Sequence, residues 1–164
     1  MIKYISKATA LILMCLTAPA ALAQTWPVKP VRYVVPFPPA GATDILARFV
    51  ADKLTPALGL QVIVDNRPGA AGNVGTDFVA KSAPDGYTIL MLTVAQTISE
   101  TLYKKLPYSL SRDFASAALV ARVPNVMEVH PSVPAKTVKE FIALAKSKPG
   151  QINYASSGSG TSIH

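Results

Sequence analysis

The sequence predicts an α/β fold built on a parallel sheet. Apolar runs of strand length alternate with helical stretches from Val31 to Thr93. A stripe of apolar residues recurs at every fourth position in the first of those helices, and Gly, Pro and Asn mark the junctions between elements. Strand–helix–strand–helix–strand order brings successive strands side by side through crossover helices, which is the pattern of a parallel sheet.

The amino-terminal segment stands apart from this pattern. Lys3 and Lys7 give a positive start, Ala8 to Ala20 form a short apolar run, and Ala21-Leu22-Ala23 puts small residues just before Gln24. That order is what signal peptidase reads, and the run is too short to span a bilayer. Residues 1–23 are therefore expected to be a cleaved signal peptide. Cys15 is not a lipoprotein site, because Met14 precedes it where a small residue is needed and the cut would leave an apolar stub.

Cleavage removes the single cysteine, which leaves no disulfide, thiol nucleophile or cysteine metal ligand. It also removes two of the 16 basic residues and none of the 9 acidic ones, so the mature chain carries about +5. The remaining Lys and Arg are scattered, without a basic run interleaved with aromatics, which argues against nucleic-acid binding. A mild positive field suits a small anionic ligand.

Val31 to Phe37 is a continuous apolar run, broken only by Arg32, and is expected to be a buried strand. Pro38 to Ala42 turn the chain, and Thr43 stands where a helix N-cap is expected. The following helix carries Leu46, Val50, Leu54 and Leu58 on one stripe, with Ile45 and Phe49 beside it and an Asp44–Arg48 pair at i,i+4. Pro56 is expected to end or kink it, and Gly59 to stop it. Gln61 to Asp65 is the second strand. A loop from Asn66 to Gly72 leads to a helix from about Val74 to Ser82, and Tyr87 to Thr93 is the third strand.

A helical patch follows at Thr97 to Lys104, then strands are expected at Ala117 to Val123 and Asn125 to His130. Thr137 and Glu140 form a capping box for a helix that Pro149-Gly150 closes, and Gln151 to Tyr154 has strand character. The chain thus divides into a first lobe at 24–124, a linker or hinge at 125–134, and the start of a second lobe at 135–164. The expectation is the front half of a larger two-lobed protein.

Two loops share one chemistry. Phe37 to Asp44 and Ala155 to Ser162 each follow an expected strand with small and hydroxyl residues, where open α/β sheets bind ligands. Free N–H groups at a helix start favour an anion. Gly69, Gly72 and Gly75 are spaced G-x-x-G-x-x-G after the second strand, which departs from the dinucleotide fingerprint, and the last Gly/Ser loop lacks the Lys of a P-loop. His130 and His164 are the only histidines, neither with a carboxylate at triad or ligand spacing, and no G-x-S-x-G elbow occurs. No catalytic residue, metal ligand or cofactor is expected.

The string Val35-Pro36-Phe37-Pro38-Pro39-Ala40-Gly41-Ala42-Thr43-Asp44 resembles the first ligand loop of the periplasmic receptors of tripartite tricarboxylate transporters, the Bug-type solute receptors. The resemblance continues through Asp65-Asn66-Arg67-Pro68-Gly69, Gly72-Asn73, Pro84-Asp85-Gly86-Tyr87-Thr88, Leu106-Pro107-Tyr108, Pro149-Gly150 and Asn153-Tyr154-Ala155-Ser156-Ser157-Gly158. It implies a type II periplasmic-binding-protein-like fold of two lobes, with parallel-rich sheets and flanking helices, the second lobe being incomplete here. It implies a small carboxylate or related solute as ligand and membrane permease subunits as partners; the alternatives are a non-functional fragment of such a receptor and, with less support because no catalytic set is present, a secreted α/β enzyme.

By the same resemblance, Pro39, Ala40, Gly41, Ala42, Thr43 and Asp44 on one side, and Ser156, Ser157, Gly158, Thr161 and Ser162 on the other, hold the carboxylate. Backbone N–H groups and water would make most of the contacts. Asn73 and the segment Thr93, Val94, Ala95 and Gln96 line the pocket. This sequence departs from the family pattern in three respects. Ala40 replaces a usual Gly, so its backbone is expected to avoid strongly positive φ. Glu128 puts a charge in a normally apolar strand. Family members are also roughly twice as long, as two lobes require.

Overall fold

The computed structural model describes residues 26–164; the expected signal peptide lies outside the described residues. Three parallel strands form one sheet in the order β2-β1-β3, with β1 at Val31–Val35, β2 at Val62–Asn66 and β3 at Thr88–Leu90. Tyr33 pairs with Val64 on one side and Ile89 on the other, and Val35 reaches Asn66. β1 is central, so its side chains are buried on both faces except Arg32, which explains its nearly continuous apolar run.

Helix α1, Ala42–Leu58, connects β1 to β2. Its buried face is formed by Asp44, Ala47 and Ala51, with Leu46, Val50, Leu54 and Leu58 packed at the margin of a core of Val31, Tyr33, Val35, Val62 and Met91. Two alanines let the helix lie close on β1. Ile45 and Phe49, expected beside the stripe, are instead 60% and 62% exposed. Pro56 does not end α1, which runs on to Leu58. The carbonyl of Asp52 that loses its donor lies on an exposed residue, where water can replace the bond. Gly59 then closes the helix with φ 70°, the left-handed C-cap that glycine favours.

Helix α2, Asn73–Ala80, crosses back to β3. Gly75 is what permits its approach: a Cβ there would lie 2.8 Å from the Arg67 carbonyl oxygen and 3.0 Å from Pro36 Cα. Helix α3, Val94–Leu102, begins with a capping box between Thr93 and Gln96, starting earlier than the sequence suggested. A short helix α4 follows at Leu110–Asp113. Helix α5, Val138–Ser147, has the capping box expected of Thr137 and Glu140.

The strands expected at Ala117 to Val123, Asn125 to His130 and Gln151 to Tyr154 do not form. A strand needs a neighbouring backbone to accept its N–H groups, and none of the described segments pairs with these. Residues 115–130 are exposed throughout, including Leu119 at 74% and Val126 at 75%. Their apolar pattern finds no neighbouring strand among the described residues. Glu128 accordingly faces solvent.

Candidate functional site

The register puts the carboxyl ends of β1, β2 and β3 on one edge of the sheet. From central β1 the chain crosses first to β2 on one side and then back to β3 on the other. The crevice between β1 and β3 is therefore a topological switch point, where open α/β sheets bind ligands. Three loops converge there: Pro36 to Gly41 after β1, Arg67 to Gly72 after β2, and Met91 to Thr93 after β3.

The first loop is clamped by Asp44. Its Oδ2 accepts from Ala40 N and from Arg48 Nε, both at 2.9 Å, and its Oδ1 accepts from Asn66 Nδ2 at 2.9 Å. Asn66 also donates to the Phe37 carbonyl at 3.1 Å and accepts from Arg48 NH2 at 3.1 Å, so its amide orientation is fixed. The Arg48 hydrogen bond, helped by the Ala40 N–H and Asn66, holds the Asp44 carboxyl at about 2 against burial, which pushes the other way. Asp44 is only 2% exposed, so it turns inward and shapes the loop, with the outer face left to backbone. Asn66 and Arg48 complete this clamp. The i,i+4 spacing announced Arg48; only the β1–β2 register brings Asn66 to the loop.

Two expectations for this loop need correcting. Thr43 is not the N-cap: Gly41 holds that position, with no side-chain cap. The N–H groups of the first turn are left for another acceptor, and Gly41 and Ala42 are exposed. Ala40 does not avoid positive φ; it sits at φ 69°. The Asp44 carboxylate on its N–H holds the residue in the left-handed region despite its Cβ.

The second loop is also left-handed. Gly69, Ala70, Ala71 and Gly72 have φ of 137°, 48°, 55° and 95° in succession. The turn ends with Gly72 against the third group of residues. A Cβ on Gly72 would collide with Gln96 Nε2 and lie 3.3 Å from Phe37 Cζ. Asn73, expected in the pocket lining, is buried and accepts a 2.6 Å hydrogen bond from Tyr108. Of the third segment, Val94 faces solvent while Ala95 and Gln96 are buried. Tyr108 and Ser99, buried in the same region, had no distinguishing signal in sequence beyond the Leu-Pro-Tyr string.

The Gly/Ser loop reaches this region through one residue. Gly160 is buried, and a Cβ there would lie 3.3 Å from Leu102 Cδ2, 3.7 Å from Ser99 Oγ and 3.8 Å from Ala71 Cβ. Thr161 N and Oγ1 both bond to the Gly158 carbonyl, closing a tight turn. Ser157 and Ser162 are exposed, and Asn125 Nδ2 donates to Ser162 Oγ at 3.2 Å. Ser156 Oγ lies 2.9 Å from His164 Nδ1, but the other ring nitrogen meets Ser159 Oγ and no carboxylate orients the ring. That pair is solvent-exposed and lacks the third group of a triad. A separate, open concavity of about 550 Å³ lies far along the chain at Val129 to Lys136 and Glu140, away from the three loops. Among the described residues no cluster of His, Cys, Asp and Glu is suited to a metal, and no helix is long and apolar enough to cross a membrane.

Residues 46–164 match the family model of the tripartite tricarboxylate transporter family receptor. The chain is 38% identical to protein BugT of Bordetella pertussis over 144 residues, covering 87% of this chain and 44% of BugT. It is 38% identical over 156 residues to a protein of Pseudomonas sp. strain P51 from the tcbD-tcbE intergenic region, covering 93% of this chain and 46% of that one. It therefore spans about half the length of these curated relatives. Among solved structures, one described as a periplasmic transporter superposes with a TM-score of 0.76 at 39% identity, covering 81% of this chain and 45% of that chain. Rpa4515 of R. palustris with adipate gives 0.70 at 35%, covering 77% and 43%. MatC of Rhodopseudomonas palustris with bound malate gives 0.64 at 31%, covering 74% and 42%. The α/β sheet described above is thus a portion of a periplasmic-binding-protein fold, and the chain belongs to the tripartite tricarboxylate transporter receptor family.

Proposed function

We propose that this chain is the ligand-loop half of a periplasmic solute receptor that binds a small carboxylate and hands it to a tripartite tricarboxylate-type permease without altering it. The observation that carries this reading is the loop after β1. Asp44 fixes its inner side through three hydrogen bonds, while the uncapped start of α1 leaves N–H groups facing outward. Free N–H groups at a helix start favour an anion. Two relatives of known structure were described with adipate and with malate, which agrees with that chemistry.

Ser156, Ser157, Gly158, Thr161 and Ser162 would approach the same carboxylate from a second lobe beginning near residue 135, with 125–134 as the hinge and 24–124 as the first lobe. Residues 1–23 would direct the chain to the periplasm and be cut before Gln24; intact mass of the exported product checks this. The function itself is tested by thermal unfolding in the presence of a panel of mono- and dicarboxylates. At a hundredfold excess over Kd a bound ligand stabilises by about 2.7 kcal/mol, and one or more members should raise Tm accordingly. A panel without any such shift, or conversion of a carboxylate by the purified protein, would defeat the proposal.

A further inference from the structure

We propose that the outer edge of β2 is a dimer interface, at which a second copy of this chain pairs antiparallel about a two-fold axis at Val64 and extends the sheet from three strands to six. β2 ends the sheet in the order β2-β1-β3, so its outer side has no strand partner among the described residues. Natural edges of this kind are guarded by lysine, proline, a bulge or a cover. Val62–Asn66 contains no Lys or Pro and keeps unbroken register with β1. Its outer side borders an open groove of about 330 Å³ shared with α1, whose lining includes Arg48, Asp52 and Gln61 to Val64.

The hydrogen bonds show which groups of β2 look outward. Gln61 O accepts from Val31 N, and Arg67 N donates to Val35 O, so the odd-numbered residues address β1. Alternate residues of a strand address opposite neighbours, and Val62, Val64 and Asn66 therefore turn their backbone groups toward the groove. Thr55 Oγ1 of α1 already takes the Val62 N–H at 3.1 Å. Val64 then offers a donor and an acceptor together, and facing its own copy it exchanges two hydrogen bonds.

The charges beside the groove fit a second copy. Arg48 and Asp52 are exposed and one turn apart on α1. Arg48 uses Nε on Asp44 and NH2 on Asn66, leaving NH1, and Asp52 has no ion pair among the described residues. A two-fold axis reverses the order of the two residues, so each Arg48 meets the Asp52 of the other copy. The spacing agrees. α1 lies over β1 and β2, which places the two copies of α1 two strand spacings apart, about 10 Å, the distance of packed helices. Ile45, on the same side of α1 as Arg48 and Asp52 and 60% exposed, is covered by that contact. The ligand crevice lies beyond β1, between β1 and β3, and stays open in both copies.

Sedimentation equilibrium on the exported chain and its Asp52→Lys variant, with amide hydrogen exchange at low and high concentration, is the test. Wild type should pass from monomer to dimer as concentration rises. Protection of the Val64 amide should rise with it, while the Ile63 amide, bonded to β1, stays protected throughout. Asp52→Lys sets a cation against each Arg48, and should raise the dimer Kd about tenfold or more while leaving the Tm of the monomer unchanged. A monomer at every concentration, assembly beyond the dimer, a dimer unaffected by Asp52→Lys, or a dimer in which Val64 exchanges as fast as in the monomer would each overturn the proposal.

Discussion

Replacing Asp44 with asparagine removes a charge and almost no bulk, and it tests the clamp on which the β1 loop depends. All three partners of the carboxylate are donors, from Ala40, Arg48 and Asn66. Asparagine keeps one oxygen for the Ala40 and Arg48 bonds but sets its own NH2 against Asn66 Nδ2. Asn66 cannot turn to accommodate it without losing its bonds to Phe37 and Arg48. One bond is thus replaced by a donor–donor conflict and two lose their charge, for a cost of about 2–4 kcal/mol.

The pH dependence carries a definite sign. The folded carboxyl titrates at about 2, below its usual 3.8, so the unfolded chain takes up the proton first as pH falls. The contribution is complete above about pH 4 and is lost as pH drops toward about 2. Asp113, also held at about 2 beside Arg112, contributes acid sensitivity in the same window, so the diagnostic quantity is the difference between wild type and variant. Urea unfolding should give that difference in full near pH 7 and a much smaller one near pH 2.5. A variant as stable as wild type at neutral pH, or a gap that does not change with pH, would refute the clamp.

Ala40→Gly should stabilise by up to about 1 kcal/mol, the relief of a left-handed alanine less the added freedom of the unfolded chain; the urea midpoint reads it. Gly75→Ala should destabilise by about 1–3 kcal/mol, because its Cβ would press on backbone atoms of Arg67 and Pro36 that cannot swing away. The midpoint of thermal unfolding is the check. Thr137→Ala should cost about 1 kcal/mol through loss of the α5 capping box. Slower-protected amides confined to residues 138–147 should exchange faster in that variant, while the β-sheet amides keep their protection.

Much of this fold is legible in sequence where burial and periodicity agree. β1 is buried on both faces and reads as an apolar run, and the Thr137/Glu140 box specifies the start of α5. The buried face of α1 is harder to see. It centres on two alanines and an aspartate, so hydrophobicity alone draws attention to Ile45 and Phe49, which face solvent. The segment 117–130 illustrates the opposite difficulty, since strand character belongs to a residue pattern but a strand belongs to a pair. The loop after β1 is visible from its small residues following a strand. Its clamp is not, because Asn66 meets Asp44 only once β2 is in register with β1. Ser99 carries no sequence signal: an isolated serine in a helix becomes notable only when its burial is known.

The central claim is that backbone at the start of α1 holds a carboxylate, and Gly41 isolates it. Gly41 has φ −80°, and a Cβ there would meet nothing nearer than the Pro38 carbonyl oxygen at 3.9 Å, so a side chain is tolerated by the fold and obstructs only an incoming ligand. Calorimetric titration of wild type and Gly41→Val with malate or adipate is the direct measurement. The account predicts saturable binding by wild type and its loss in a variant whose unfolding midpoint stays close to wild type. Unimpaired binding by Gly41→Val would contradict it.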